Sequence, residues 1–134
     1  PDATLDGVLI EPMEQEGGIE AFVGVARDPV FGPVMTFGLG GIYVEVFRDV
    51  TRRVLPVSRD MAFEMMTELQ SAPLLKGARG QSPRDLDALA DLIVAVSDYV
   101  AANPEVSELD INPVWVGAQG QGVVALDAVI VVAA

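Results

Sequence analysis

Three side chains with oxygen donors interrupt two strongly apolar segments near the end of the chain. Asp110 and Asn112 lie in the first segment, and Asp127 lies in the second. Burying a carboxylate costs several kcal/mol unless a partner compensates its charge. The position of these residues therefore requires a reason, and a hard metal ion bound through oxygen ligands is one candidate.

The spacing predicts that these side chains meet on one face of a hairpin. Residues two apart in a strand share a face, as Asp110 and Asn112 would. A glycine-rich segment separates the two strands, and a hairpin centred between Gln119 and Gly120 puts Asn112 opposite Asp127. Opposed Cβ atoms lie about 4.5–5.5 Å apart, which suits a Mg²⁺ ion with ligands at about 2.0–2.1 Å. The alternative is a solvated polar face, and a one-residue change of register would separate the set.

The composition excludes several kinds of site. The chain has 134 residues, enough for one domain with a core, and 20 acidic against 8 basic residues give a net charge of −12. This charge argues against nucleic acid and anionic membranes as partners. Cysteine and histidine are both absent, which excludes disulfides, His-ligated zinc and a Ser-His-Asp triad within these residues. The lack of cysteine fits a cytoplasmic protein. Because residue 1 is proline, we expect a fragment or a processed product.

The pattern of apolar residues predicts an α+β fold. Two helices are expected, one from Ser58 or Asp60 to about Leu69, and one from Ser82 as N-cap to Asn103. Strands are expected in the rest of the chain, with a mainly antiparallel sheet and the two helices packed on one face. The predicted strands cover residues 8–13, 19–26, 34–37, 43–47 and 51–57, the last two as a pair, followed by the final hairpin.

Several short segments, in order, resemble one known family. Glu108–Pro113 with Asp127–Ala128 resembles the metal-binding hairpin of ATP-grasp enzymes. Together with the upstream segments, it resembles the nucleotide-binding part of the NDP-forming acyl-CoA synthetases, which include ADP-forming acetyl-CoA synthetase and succinyl-CoA synthetase. The upstream segments are Gly7–Met13, Asp28–Val34, Phe37–Gly41, Arg53–Pro56 and Lys76–Gly80.

The resemblance implies a fold and an activity. ATP-grasp enzymes bind ATP between two α+β subdomains, and residues 1–134 are expected to form the C-terminal one. The N-terminal subdomain and the CoA-binding and ligase domains would then lie outside this chain. The parent enzyme would interconvert acyl-CoA, ADP and phosphate with the free acid, CoA and ATP, using Mg²⁺. The isolated chain should bind Mg-ATP weakly or not at all, because half of the cleft is missing.

Two other functions remain open at this point. The parent protein is alternatively another ATP-grasp carboxylate ligase, such as a carboxylate–amine ligase. A second alternative is a non-catalytic regulatory module fused to an acetyltransferase. The acidic surface and the exposed half of the cleft also allow a homo-oligomer.

The resemblance assigns the metal and adenine sites. Asn112 and Asp127 would ligate Mg²⁺, with Asp110 in support. Glu11 and Met13 would lie in the hinge strand whose backbone meets adenine, although an ordinary edge strand explains them too. Histidine, through which these synthetases pass phosphate, must lie on other segments.

The resemblance also assigns residues near the phosphates. Glu20 would lie near the nucleotide, and Gly40 and Gly41 would let backbone N–H groups approach an anion. A surface carboxylate and a tight turn are the simpler explanations. Arg53 would point into the cleft towards phosphate, and the neighbouring Arg52 would face the opposite way. A structural salt bridge of Arg53 with Asp49 or Glu45 is the alternative.

Overall fold

The sheet and its helices occupy the residues that the computed structural model describes, namely 7, 8, 10, 13, 17–41 and 46–133, without the side chain of residue 79. Within these residues the strands form one antiparallel sheet in the order β3-β2-β1-β4, and both β5 and β6 pair with β4. The strands are Ile19–Asp28 (β1), Gly32–Leu39 (β2), Val50–Val54 (β3), Val106–Val116 (β4), Val123–Ala125 (β5) and Ala128–Val132 (β6). The helices are Arg59–Glu68 (α1), Ala72–Leu75 (α2) and Leu86–Ala102 (α3), with a 3₁₀ turn at Ala78–Gly80. The predicted α+β class is confirmed, and α2 is a short helix that the sequence did not indicate.

The helices that the structure describes cover only one side of the sheet. Every second residue of β1, from Ala21 to Val25, is buried beneath them, as are Met35 and Phe37 of β2. We call this side the helix face and the opposite side the open face. The alternation of side chains along each strand therefore decides which residues enter the core and which remain available to a ligand.

Both long helices start at a capping side chain. Of the two caps predicted for α1, Ser58 and Asp60, the structure has Ser58, whose Oγ accepts a hydrogen bond from the N–H of Met61 at 3.2 Å. The predicted cap of α3 at Ser82 is wrong, because the helix begins after Asp85, whose carboxylate accepts from the N–H of Ala88 at 3.1 Å.

The residues before α3 are extended because they contact the turn between β4 and β5. The N–H of Gln119 donates to the carbonyl of Pro83 at 2.9 Å, and Arg84 forms a bridge with Ala118. One face of α3 is buried, including Leu89, Ile93 and Val100, and the helix ends before Asn103, as predicted.

The pairing of β3 differs from the prediction. β3 pairs with β2, from Val34 opposite Val54 to Gly38 opposite Val50, whereas residues 46 and 47 form a turn. The predicted strand at 43–45 lies outside the described residues. So does most of the predicted strand at 8–13, of which residues 8, 10 and 13 are described and are not in a strand.

Strand β6 lies at the edge of the sheet and carries exposed apolar side chains. Val129 is 55% exposed and Val132 is 57% exposed. Among the described residues, no helix has both the length and the apolar character that a membrane crossing requires.

Candidate metal and nucleotide site

The final hairpin has the predicted register. Asp110 pairs with Val129 and Ile111 with Ala128, and the N–H of Asn112 donates to the carbonyl oxygen of Asp127 at 3.1 Å. The β4–β5 pairs continue the same register towards the turn. Asn112 and Asp127 are therefore opposed, as the spacing alone predicted.

A bulge in β4 lies directly after the polar residues and keeps the apolar residues that follow on the helix face. Val23 pairs with Ile111 and Ala21 pairs with Val114, so that two residues of β4 face one residue of β1. The extra residue reverses the alternation. Ile111 and Val114 are consequently both buried on the helix face, although they are three positions apart, while Asp110 remains exposed.

The electrostatics of this site favour a cation. Although Asp110 is exposed, the protein partly removes water from its carboxylate and so raises its pKa, and the negative charge of Asp127 raises that pKa further. Two carboxylates that repel each other gain from a positive ion placed between them.

The donors present fit a hard ion that shares its coordination with another ligand. Asp110, Asn112 and Asp127 offer oxygen atoms only, the type that Mg²⁺ prefers, and Mg²⁺ usually keeps other ligands such as water or phosphate. In the described part of the chain, no group of three or more His, Cys, Asp or Glu side chains is placed to hold a metal ion. Two carboxylates and one amide suit a phosphate-bound magnesium better than a self-sufficient metal site.

The predicted direction of Arg53 is wrong. It pairs with Met35, which is fully buried, and its side chain therefore lies on the helix face. There its Nη2 contacts Glu68 of α1 at 2.6 Å and Glu64 at 3.6 Å. Alternation along β3 requires this, because Thr51, two positions earlier, is also buried against the helices. Asp49, suggested as the alternative partner, instead accepts hydrogen bonds from the backbone of residues 70 and 71.

Glu20 and Gly40 lie together at one end of the open face. The N–H of Gly40 donates to the carbonyl of Glu20 at 2.8 Å. A Cβ at Gly40 would lie 3.2 Å from the Cβ of Glu20, and Gly41 adopts φ +65°, which favours glycine. Close packing and a turn account for both glycines.

The adenine-side prediction is only partly covered by the described residues. Met13 is described and is 96% exposed, whereas Glu11 lies outside the described residues. The predicted contact of this segment with adenine stays a prediction.

The open face also brings together residues that the sequence reasoning did not assign to the site. Arg52 pairs with Thr36, Thr36 pairs with Gly24, and Gly24 pairs with Asp110. The alternation of side chains along a strand was the available signal, because it places Arg52 and Arg53 on opposite faces. The burial of Thr51 then shows that Arg52 is the one on the open face.

Comparison with known proteins identifies the family. The family model described as an ATP-grasp domain matches residues 1–132. The chain is 45% identical over 132 residues to the beta subunit of acetate–CoA ligase [ADP-forming] II from Pyrococcus furiosus, covering 98% of this chain and 56% of that protein. It is 48% identical over 124 residues to acetate–CoA ligase [ADP-forming] I from Archaeoglobus fulgidus, covering 92% of this chain and 18% of that protein. This chain therefore spans only part of the length of these relatives.

Solved structures agree with this assignment. The crystal structure of a Pyrococcus horikoshii Ot3 protein matches with a TM-score of 0.87 and 41% identity, covering 98% of this chain and 55% of that chain. The dinucleotide-forming acetyl-coenzyme A synthetase 1 of Candidatus Korarchaeum cryptofilum, in complex with coenzyme A and Mg-AMPPCP, matches with a TM-score of 0.81 and 40% identity, covering 88% and 55%. The chain therefore belongs to the ATP-grasp domain family, and it matches that domain as it occurs in ADP-forming acetyl-CoA synthetases.

Proposed function

We propose that residues 1–134 form the C-terminal subdomain of an ATP-grasp domain and hold Mg-nucleotide in an NDP-forming acyl-CoA synthetase. The parent enzyme converts acyl-CoA, ADP and phosphate into the free acid, CoA and ATP, reversibly. The observation that carries this proposal is the opposition of Asn112 and Asp127 on the open face, with Asp110 beside them.

The roles of the three residues follow from their chemistry. Asn112 and Asp127 ligate Mg²⁺ through their side-chain oxygens, and Asp110 adds negative charge next to them. A Mg²⁺ ion held by these residues would supply positive charge to the phosphates during phosphoryl transfer. Glu20, Gly40 and Gly41, at the neighbouring end of the open face, contact the nucleotide, and Met13 and Glu11 belong to the segment that meets adenine.

The rest of the enzyme supplies what this chain lacks. The chain contains no histidine, whereas one structure of the Korarchaeum synthetase has a phosphohistidine segment pointing towards its nucleotide-binding site. We assign the phosphate-carrying histidine of this enzyme to a segment outside the chain. The exposed apolar strand β6 supports burial against further parts of the protein, since large apolar patches rarely stay uncovered.

The alternative functions have less support. The relatives that match are named as CoA ligases and CoA synthetases, and none of the observations favours a carboxylate–amine ligase or a regulatory module.

The metal assignment is tested with Asp127→Asn in the complete protein. Loss of a charged ligand should raise the Mg²⁺ concentration needed for half-maximal activity by more than about tenfold. Asp98→Asn, which changes an exposed carboxylate on α3, serves as the matched control and should leave this concentration unchanged. An unaltered Mg²⁺ dependence for Asp127→Asn would reject Asp127 as a ligand.

A further inference from the structure

Arg52 lies on the same face and in the same row as the predicted metal site. The row crosses four strands, from Arg52 through Thr36 and Gly24 to Asp110. Strands are about 4.8 Å apart, so the backbones of Arg52 and Asp110 are separated by about 14 Å. An arginine side chain directed along the sheet and a phosphoryl group at the metal fit within this span.

Two depressions make this row a continuous groove. One, of 290 Å³, is lined by Gly24, Thr36 and Asp110 among others. The second, of 240 Å³, contains Arg52 and shares Ala26 and Thr36 with the first. Small side chains form the floor of the groove, and a group bound near Asp110 therefore has an open path towards Arg52.

The carboxylate of Asp110 lies over this floor. A Cβ at Gly24 would lie 3.3 Å from Oδ1 of Asp110, so a larger residue would crowd the carboxylate. Glycine at this position thus leaves room for Asp110 at the end of the groove that faces Arg52.

Among the cations that the structure describes in this groove, Arg52 is the one that remains available to a ligand. Arg27 also lines it, but its guanidinium donates to the carbonyls of Val106 and Pro104, each at 2.8 Å. The carboxylate of Asp28 accepts from the N–H groups of the following turn. Arg52 is exposed, and its guanidinium makes no ion pair with any residue that the structure describes.

A cation in the groove matters because the chain as a whole is strongly acidic. With a net charge of −12, the chain repels an approaching phosphoryl group, which carries about two negative charges. A guanidinium in the path of that group offsets the repulsion and donates paired hydrogen bonds to its oxygens.

We propose that Arg52 binds the phosphoryl group of the phosphohistidine segment when that segment enters the open-face groove. This inference rests on the proposed function, and the occupant is the phosphorylated segment outside the chain. The Korarchaeum synthetase provides the precedent. One of its structures has the phosphohistidine segment pointing towards the nucleotide-binding site, and a separate structure has that segment phosphorylated, in the site I orientation.

Arg52 would assist the transfer of the phosphoryl group between phosphohistidine and ADP. In the direction of ATP synthesis, a terminal oxygen of ADP forms a bond to phosphorus while the phosphorus–nitrogen bond of phosphohistidine breaks. The electron pair of that bond stays on the imidazole nitrogen, and a proton on the other ring nitrogen keeps the leaving imidazole neutral. The guanidinium of Arg52 donates hydrogen bonds to the oxygens of the phosphoryl group during this transfer.

The test compares Arg52→Gln, Arg52→Lys and the unmodified complete protein. The rate of label transfer from γ-³²P-ATP to the protein is measured in a single turnover, and the Kd of Mg-AMPPCP is measured by calorimetry. Arg52→Gln should slow the transfer roughly 10- to 100-fold, the loss expected for one charge-assisted hydrogen bond, and should change the Kd less than about threefold. Arg52→Lys should recover part of the rate, since it keeps the charge but not the paired donors.

Arg59→Gln is the matched control, because Arg59 lies on α1 and pairs with Asp87 and Asp91 of α3. Its transfer rate should equal that of the unmodified protein. A rate for Arg52→Gln within twofold of the unmodified protein overturns the inference, and so does an equal loss of rate and nucleotide affinity. A complete protein that neither binds Mg-AMPPCP nor takes up label refutes the proposed function itself. If Arg52→Gln fails to fold, the rate and Kd of Arg52→Lys decide the inference by the same criteria.

Discussion

Asp85 connects helix α3 to the turn between β4 and β5, and replacing it should unfold the chain under milder conditions. One carboxylate oxygen accepts from the N–H of Ala88 at 3.1 Å. The other accepts from the N–H groups of Gly120 and Gly122, both at 2.9 Å. The side chain is only 8% exposed, so water does not readily replace these bonds.

The magnitude follows from these contacts. Loss of a helix cap costs about 1 kcal/mol, and loss of a hydrogen bond to a charged group costs about 1.5–3 kcal/mol. The glycine N–H groups regain water in part, so Asp85→Ala should lower the free energy of unfolding by about 3–4 kcal/mol. For a chain of this size, that corresponds to a fall in Tm of roughly 12–16 °C. Asp85→Asn should lose about half as much, since its single amide oxygen serves either the helix or the turn.

The assay is urea unfolding followed by the fluorescence of Trp115, the single tryptophan, which lies on β4 next to this turn. Asp87→Asn is the control in the same helical turn. Its side chain is 73% exposed and pairs with Arg59, so the loss should stay below about 1 kcal/mol.

Acid should reduce the effect of Asp85→Ala. The hydrogen bond from Ala88, followed by those from Gly122 and Gly120, lowers the pKa of Asp85 despite its burial. The stabilisation is therefore complete above the unfolded-state pKa of about 4 and is lost as the pH falls through the lower folded-state pKa. A loss for Asp85→Ala no larger than that of Asp87→Asn at neutral pH, or a difference from the unmodified chain that widens in acid, would refute this reasoning.

Two further substitutions separate stability from function. Asp110→Asn should raise the free energy of unfolding of the metal-free chain in EDTA by less than about 1 kcal/mol, because it removes a partly desolvated charge and its repulsion with Asp127. The Tm should therefore rise slightly, and a lower Tm would contradict this. Arg53→Gln should lower the free energy of unfolding in urea by about 1 kcal/mol, because it removes the ion pair with Glu68. Phosphoryl transfer by the folded Arg53 variant should stay normal. Slower transfer at unchanged stability would contradict a purely structural role for Arg53.

The sequence alone was sufficient for the local features. Helix α1 begins at Ser58, one of the two caps that the sequence predicted, because capping depends on residues within one turn. The hairpin register, with Asn112 opposite Asp127, was predictable because a short glycine-rich turn determines which residues oppose each other. These features depend on neighbours in the chain, and the sequence records those neighbours directly.

The tertiary structure decided which side of each element faces the ligand. Alternation shows that Arg52 and Arg53 point in opposite directions, but only the packing of α1 against β3 shows that Arg53 turns towards Glu68. Asp85 caps α3 in place of Ser82 because the residues before the helix form hydrogen bonds with the β4–β5 turn, which is distant in sequence. In each case the choice depends on contacts between segments far apart in sequence, and such contacts exist only once the sheet and helices have packed together.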